Sequence, residues 1–434
     1  MTDIETLYNC FEACGNVTTD SRHCPEGSLF IALKGETFDG NAFAAQALQK
    51  GCRYAVVDEA AYAPAGDPRI LLVDDCLKTL QHLANHHRQK LGTPVIGITG
   101  TNGKTTTKEL VSAVLREKYD VLSTEGNLNN HIGVPLTLLR LTPSHQLAVV
   151  EMGASHPGDI KELVDIAEPD YGLITNVGRA HLQGFGSFEG VIRTKGELYD
   201  YLRTKPNGTI FIENENPYLN RMAEGLHCIR YGQADRLYVS GTTVATDSPF
   251  LSFRWSAEGG ETHLVHTRLI GSYNLDNVLA AATVGHYFGV SDASICHAIA
   301  SYIPRNDRSE LKETAHNRLI IDAYNANPTS MKAALDNFRQ LRTPHKRVIL
   351  GAMKELGAYS AAEHQQIVDY VTTCGFEQII LVGREFEETR HPGCVCYPDV
   401  EAVISQLQEN RPEGCCILIK GSNSMKLERL PQYL

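Results

Sequence analysis

The sequence has no uninterrupted apolar run approaching the roughly 18 residues of a membrane-spanning helix. Its opening residues, Met1-Thr2-Asp3-Ile4-Glu5, lack the basic-then-apolar order of a secretory signal. The twelve cysteines, among them Cys10, Cys14, Cys24, Cys52 and Cys76, follow no regular spacing. Reduced thiols in a cytoplasm are therefore expected rather than a disulfide framework. There is neither an internal repeat nor a low-complexity tract. Positive charge is also scarce: 40 Lys and Arg stand against 51 Asp and Glu, a formal net charge of −11. That balance argues against a general nucleic-acid binder. It leaves anionic small ligands open, because backbone N–H groups and a few cations act locally.

What is present is an ordinary globular composition, 42% hydrophobic and 21% charged. At ~150 residues per domain, 434 residues suggest about three domains. The chain divides accordingly. Residues 1–90 carry short apolar runs, Ser28 to Leu33 and Tyr54 to Val57, and a helical stretch over 76–90 that ends before Leu91-Gly92-Thr93-Pro94. Residues 91–305 carry near-continuous apolar strands at 95–98, 147–151, 172–177 and 209–212, alternating with helices, then hairpin-like alternation over 235–270. Residues 306–434 carry strands at 318–321, 346–350, 378–382 and 415–419, and a helix from Pro328 with Asn327 as its cap. The fold class is α/β, with mainly parallel sheets covered on both faces.

The strongest single feature is Thr99-Gly100-Thr101-Asn102-Gly103-Lys104-Thr105-Thr106, between the strand Val95-Ile96-Gly97-Ile98 and a helix with Leu110, Val111, Val114 and Leu115 on one face. Strand, glycine-rich turn, lysine, hydroxyl and helix form a phosphate-binding arrangement: backbone N–H groups converge on an anion, Lys104 neutralises it, and Thr105 can ligate Mg²⁺. The general formula asks for glycine at position 98, which is Ile98. Glu151, at the tip of an apolar strand, is placed to bind Mg²⁺ beside such a loop. Asp322, with Tyr324 and Asn325 before the helix, can hold a ribose or a base. Lys420-Gly421-Ser422-Asn423-Ser424 is a further strand-end turn suited to an anion. The spacing of His181 and Lys195 alone assigns neither a role.

Taken together these segments resemble the Mur ligases over essentially the full chain. The loop 99–106 is that superfamily's form of the motif, which accounts for the displaced first glycine. Within the superfamily the resemblance is to the branch that adds D-alanyl-D-alanine to a UDP-N-acetylmuramoyl tripeptide. It is carried by Thr19-Asp20-Ser21-Arg22, Leu29 to Glu36, Gly126-Asn127-Leu128-Asn129-Asn130, Glu151-Met152-Gly153-Ala154, His181 through Glu197 and, most specifically, Tyr324 to Met331. The resemblance implies a three-domain architecture with a central P-loop ATPase-like parallel sheet and a C-terminal Rossmann-like domain. It implies a cytoplasmic, ATP- and Mg²⁺-dependent amide ligase of peptidoglycan synthesis, working through an acyl phosphate. A monomer is the default expectation, independent of the resemblance.

The implied roles follow residue by residue. Gly100, Thr101, Asn102, Gly103, Lys104, Thr105 and Thr106 would cradle ATP. Asn274 would contact adenine, Arg308 the phosphates, and Asp322 and Tyr324 the sugar and base. Thr105 and Glu151 would hold one Mg²⁺, His181 would help hold a second, and Lys195 would be carbamylated. Lys104, Lys195, His181 and Arg308 form the implied catalytic set. Ser21, Arg22, Asn127, Asn129, Asn130, Asn325 and Asn327 would face the peptide substrates. Three positions depart from the pattern: Ala352 where many relatives carry Asp, Asn423 where many carry Arg, and Asn41 where His is usual. A phosphate-loop kinase or NTPase would share the loop but need no acyl-acceptor site.

Overall fold

The computed structural model describes residues 2–64, 66–245, 248–304 and 310–434. Its strands form three sheets, each from a consecutive stretch of chain. The first contains Val17–Thr18, Leu29–Ile31, Tyr54–Val57 and Ile70–Leu72, parallel and in chain order. The helix Cys76–Leu91 starts where Asp75 accepts a hydrogen bond from the Lys78 N–H, and it stops at Gly92, φ 65°. Glycine enters this left-handed cap at little steric cost.

That helix serves two units at once. Its Leu80, Leu83 and Ala84 share one apolar core with Leu138, Leu163 and Val164 of the following unit. Arg88 donates from Nε to the Ala167 carbonyl at 2.9 Å and from its terminal nitrogen to Asp170 Oδ2 at 3.1 Å. The glycine–proline joint after Leu91 thus links two units that are packed together.

The central sheet runs His263–Ile270, Phe250–Ala257, Val239–Val244, His227–Gly232, Thr209–Glu213, Tyr171–Ile174, Val95–Thr99, Leu147–Glu151, Val121–Ser123. The first three strands pair antiparallel, and every later pair is parallel. The alternating segment 235–270 therefore forms the expected hairpins, as an extension of the same sheet. Val95–Thr99 and Leu147–Glu151 are buried at every position, as interior parallel strands between helical layers should be. Leu110, Val111, Val114 and Leu115 of the helix Lys104–Arg116 are buried too.

Ile98 lies beside Glu151 and Thr99 beside Ile174 in the ladder. The turns after these three neighbouring parallel strands consequently open at one edge. After Val95–Thr99 the chain places Val121–Ser123 at the far edge and Leu147–Glu151 between the two, then crosses over to add Tyr171–Ile174 on the other side. Such a reversal leaves a crevice at the carboxyl ends of the strands.

The third sheet runs Glu310–Glu313, Arg318–Asp322, Cys416–Lys420, Lys346–Gly351, Gln378–Val382, Val395–Tyr397, parallel except for its first pair. The helix Pro328–Gln340 has the expected Asn327 cap, completed by Ser330 as a capping box, and buries Met331, Ala334, Leu335 and Phe338. Leu182, Phe185 and Val191 of the central unit belong to the apolar core of this third unit. The C-terminal unit is therefore docked against the central one.

Candidate active site

A cavity of ≈ 910 Å³ occupies the crevice between the central and C-terminal units. Thr101 to Thr106, Asn129, Asn130, Glu151, His181, Asn274, Asp322, Tyr324 and Asn325 all line it.

The phosphate loop is shaped by two glycines that no other residue could replace. Gly100 has φ +140°, and a Cβ there would sit 2.0 Å from Thr175 Oγ1. Gly103 has φ +78°, and a Cβ would meet Asn277 Oδ1 at 2.6 Å. The close neighbours hold the loop in turn: Thr175 Oγ1 donates to the Asn102 carbonyl at 2.6 Å, and Asn176 brackets Asn102 through its N–H and its carbonyl. The Lys104 ammonium donates to the carbonyls of Gly100 at 2.8 Å and Thr101 at 3.0 Å. The loop thus has its fold before any anion arrives.

At the tip of the adjoining strand, Glu151 Oε1 accepts from Thr105 Oγ1 at 3.1 Å and from Asn129 Nδ2 at 2.8 Å. Its second oxygen, Oε2, is buried and has no hydrogen-bond partner among the described residues. A buried carboxylate oxygen left unsatisfied is costly unless a ligand takes it. Together with the Thr105 hydroxyl it offers the hard oxygen donors that Mg²⁺ prefers. The residues present therefore fit a divalent cation. Among the described residues no three His, Cys, Asp or Glu side chains converge as a self-sufficient metal centre.

His181 is held in the left-handed region, φ 49°, and its Nδ1 pairs with the Glu355 carboxylate of the C-terminal unit. The adjoining His181 imidazole holds the Glu355 carboxyl below the usual carboxylate value. Lys195, on the helix Phe188–Arg203, is 2% exposed and lies outside the cavity lining, with its ammonium 5.5 Å from the Phe185 ring. Burial, aided by the nearby Lys104 charge, pushes its amine well below the usual lysine value. On the C-terminal side the ladder pairs Asp322 with Lys420. Lys420 Nζ donates to Asp322 Oδ2 at 2.6 Å and to the Asn325 carbonyl at 3.2 Å.

Some expected residues are elsewhere or occupied. Ser21, Arg22 and Asn127 do not line this cavity, and the Arg22 guanidinium is bidentate to the Asp20 carboxylate. Asn130 lines it but uses Oδ1 on the N–H groups of Ile132 and Gly133. Asn129 serves Glu151, as described. Asn327 also lies outside the lining: its Oδ1 caps the helix through the Ser330 N–H, and its Nδ2 donates to Asn102 Oδ1 at 2.7 Å. It joins the C-terminal unit to the phosphate loop rather than presenting itself to a ligand. Asn274 is 3% exposed, donates to the Ile270 carbonyl at 2.8 Å and accepts from Asn277. Arg308 lies outside the described residues.

The three departures fall away from the phosphate loop. Asn41 is buried, bridging Asp39 and Asp58. Ala352 is buried beneath Gly383, and Asn423 is exposed.

Sequence reasoning missed Glu355, Asn176, Asn277 and Asp276. Glu355 lies in a segment it did single out, Gly351 to Gly357, but nothing in the order of residues joins positions 181 and 355. Asp276 lines the cavity, and burial next to Glu215 pushes its carboxyl up to about 6.

Comparison with known proteins agrees with this geometry. The family models described as "Mur ligase family, catalytic domain", "Mur ligase middle domain" and "Mur ligase, glutamate ligase domain" match residues 14–88, 98–285 and 307–423. A Bacillus subtilis protein named UDP-N-acetylmuramoyl-tripeptide--D-alanyl-D-alanine ligase is 35% identical over 437 residues, spanning 96% of this chain and 92% of that protein. A crystal structure of MurF from Acinetobacter baumannii superposes with TM-score 0.86 at 31% identity, covering 96% of this chain and 92% of that one. A MurF ligase from Thermotoga maritima, solved in complex with ADP, gives TM-score 0.85 at 27% identity, covering 100% and 98%. With the family's three models laid end to end along it and a relative of this identity covering nearly all of it, the chain belongs to the Mur ligase family.

Proposed function

We propose that this chain is an ATP-dependent amide ligase that joins D-alanyl-D-alanine to UDP-N-acetylmuramoyl-tripeptide in peptidoglycan precursor synthesis. One observation carries the reading. A phosphate loop, a cation-ready carboxylate and the Asp322–Asn325 turn of the C-terminal unit line a single cavity, in a chain 35% identical to a relative that bears this activity in its name.

A carboxylate is a poor electrophile, and phosphorylation gives it a leaving group. An oxygen of the tripeptide carboxylate attacks the γ-phosphorus of ATP, ADP departs, and an acyl phosphate results. The dipeptide amine then attacks the acyl carbon, loses a proton, and phosphate leaves as the amide forms. Little covalent chemistry falls to the protein, so positioning and charge stabilisation dominate. The loop N–H groups and Lys104 receive the β- and γ-phosphates. Thr105 and Glu151 would hold Mg²⁺, which supplies charge neutralisation on the transferring phosphoryl. His181, oriented by Glu355, would serve a second cation. Lys195, whose amine burial pushes well below the usual lysine value, suits reaction with carbon dioxide, which would leave an anionic carbamate in place of an ammonium. Asn274, Asp322 and Tyr324 are assigned to the nucleoside, and Arg308 to its phosphates.

By this reading residues 1–90 take the uridine-diphosphate end with Ser21, Arg22 and Asn127. Residues 91–305 take ATP, and residues 306–434 bring the dipeptide, with Asn325 beside it. The working unit is a single chain in the cytoplasm. Among the described residues no helix is long and apolar enough to cross a membrane. Product analysis tests the proposal: amide, ADP and phosphate should appear together and only with D-alanyl-D-alanine present. Phosphate release at the same rate without the dipeptide would instead favour a simple NTPase.

A further inference from the structure

Lys108 has no exposed surface, and nothing in the proposed mechanism uses it. It lies one turn beyond Lys104 on the helix Lys104–Arg116. Its ammonium donates to the Thr124 carbonyl at 2.7 Å and pairs with the Glu109 carboxylate. Thr124, just past the strand Val121–Ser123, is itself 1% exposed. Its N–H donates to the Val149 carbonyl at 3.1 Å, and its Oγ1 accepts from the Glu151 N–H at 3.0 Å. The ladder between these strands ends at Ser123 and Val149. Beyond that point the Thr124 hydroxyl is what engages the Glu151 backbone N–H.

We propose that Lys108 is a positioning residue for the cation site, acting through Thr124 to fix Glu151 relative to Thr105. The inference rests on the reading of Thr105 and Glu151 as cation ligands. The contacts form a closed ring. Thr105 and Lys108 share a rigid helix; Lys108 holds Thr124; Thr124 holds the Glu151 backbone; the Glu151 carboxylate returns to Thr105 Oγ1 at 3.1 Å. The separation of the two oxygen donors is thereby set from both ends. Desolvating an ammonium is unfavourable, and an apolar chain of similar length would fill the same space more cheaply. Methionine, however, could not donate to the Thr124 carbonyl, so the tie to Glu151 would be lost while the packing remained.

The test is thermal unfolding of the full chain with no addition, with ADP and EDTA, and with ADP and Mg²⁺, for the parent, Lys108→Met, Thr124→Val and the double variant. The parent should gain a further rise in Tm from Mg²⁺ over metal-free ADP. In Lys108→Met and in Thr124→Val the rise from metal-free ADP should persist. The Mg²⁺ increment should shrink, with half-saturating Mg²⁺ raised about tenfold, the scale on which groups orienting metal ligands act. The double variant should be no worse than the more affected single one, because both cut the same chain of contacts. A Mg²⁺ increment at parental size in the single variants overturns the role of Lys108, as do losses that multiply in the double variant. Absence of any Mg²⁺ increment in the parent overturns the cation site itself, and the role of Lys108 with it. If Lys108→Met does not fold, Thr124→Val, which removes one hydroxyl at constant shape, decides the same comparison alone.

Discussion

Arg179→Ala should loosen the docking of the C-terminal unit without touching the phosphate loop. The Arg179 Nε forms an ion pair with Glu363 Oε1 at 3.0 Å, across the interface between the units. The two side chains differ in exposure: 50% for Arg179 and 4% for Glu363. At an effective dielectric of ~20, two unit charges at that distance attract by roughly 5 kcal/mol. Solvent around the half-exposed guanidinium removes most of this, leaving about 1–2 kcal/mol. Losing Arg179 also strands the buried Glu363 carboxylate while the units are docked, which adds to the penalty. At ~1.4 kcal/mol per decade, the docked population should fall about 5- to 30-fold relative to the undocked one. Steady-state kinetics should show kcat/KM for D-alanyl-D-alanine reduced by a similar factor. ADP affinity, measured by calorimetry, should fall by less than this factor, because the phosphate contacts lie within the central unit and only Asp322, Tyr324 and the Asn327–Asn102 hydrogen bond come from the C-terminal unit. Glu363→Gln removes the stranded charge, so Arg179→Ala/Glu363→Gln should recover part of the loss. If the double variant is as impaired as Arg179→Ala, or if Arg179→Ala retains parental kinetics, the ion pair does not govern docking.

Lys104→Ala should lower the ligation rate by at least ~10²-fold, the usual scale for one charge-stabilising donor; parental turnover would remove Lys104 from the phosphate role. Its Tm should stay within ~2 °C of the parent, because the loop is shaped by Gly100, Gly103, Thr175 and Asn176. Lys195→Ala should be inactive in a ligation assay and partly restored by a short-chain carboxylate; full activity without that additive refutes the carbamate. Burial pushes the Glu213 carboxyl up to about 8. A raised folded-state value means that the native state holds an extra proton, so stability should be fully present below about pH 4.5 and fall as pH rises towards 8. Glu213→Gln keeps the acceptor used by the Glu215 N–H at 2.7 Å, and its Tm–pH curve should be flatter over that window; an unchanged slope would show that another group sets it.

Local patterns made much of the fold legible. Thr99 to Thr106 declared a strand, an anion turn and a helix, because the spacing of glycine, lysine and hydroxyl is a local requirement of the backbone. Asn327-Pro328 declared a helix start for the same reason, and the capping box confirms it. The apolar runs mark most strands to within a residue; 172–177 overruns the observed Tyr171–Ile174 by three, because the polar Thr175 and Asn176 turn inward to hold Asn102. Asn327, expected to face the peptide substrates, is a helix cap and a donor to Asn102 of the central unit. A cap and an interdomain donor leave the same letter in the sequence as a ligand contact would.

The sequence alone thus determined the element types, the phosphate loop and the family, since these depend on residues within a few positions of one another or on similarity along the whole chain. The tertiary structure alone decided the company each residue keeps. It placed Glu355 on His181, Asn129 and Thr105 on Glu151, Lys420 on Asp322, and Lys108 under Thr124. These pairs stand 16 to 174 positions apart. Parallel sheet order and the docking of one unit on another bring them together, and neither leaves a local signature in the residues that meet.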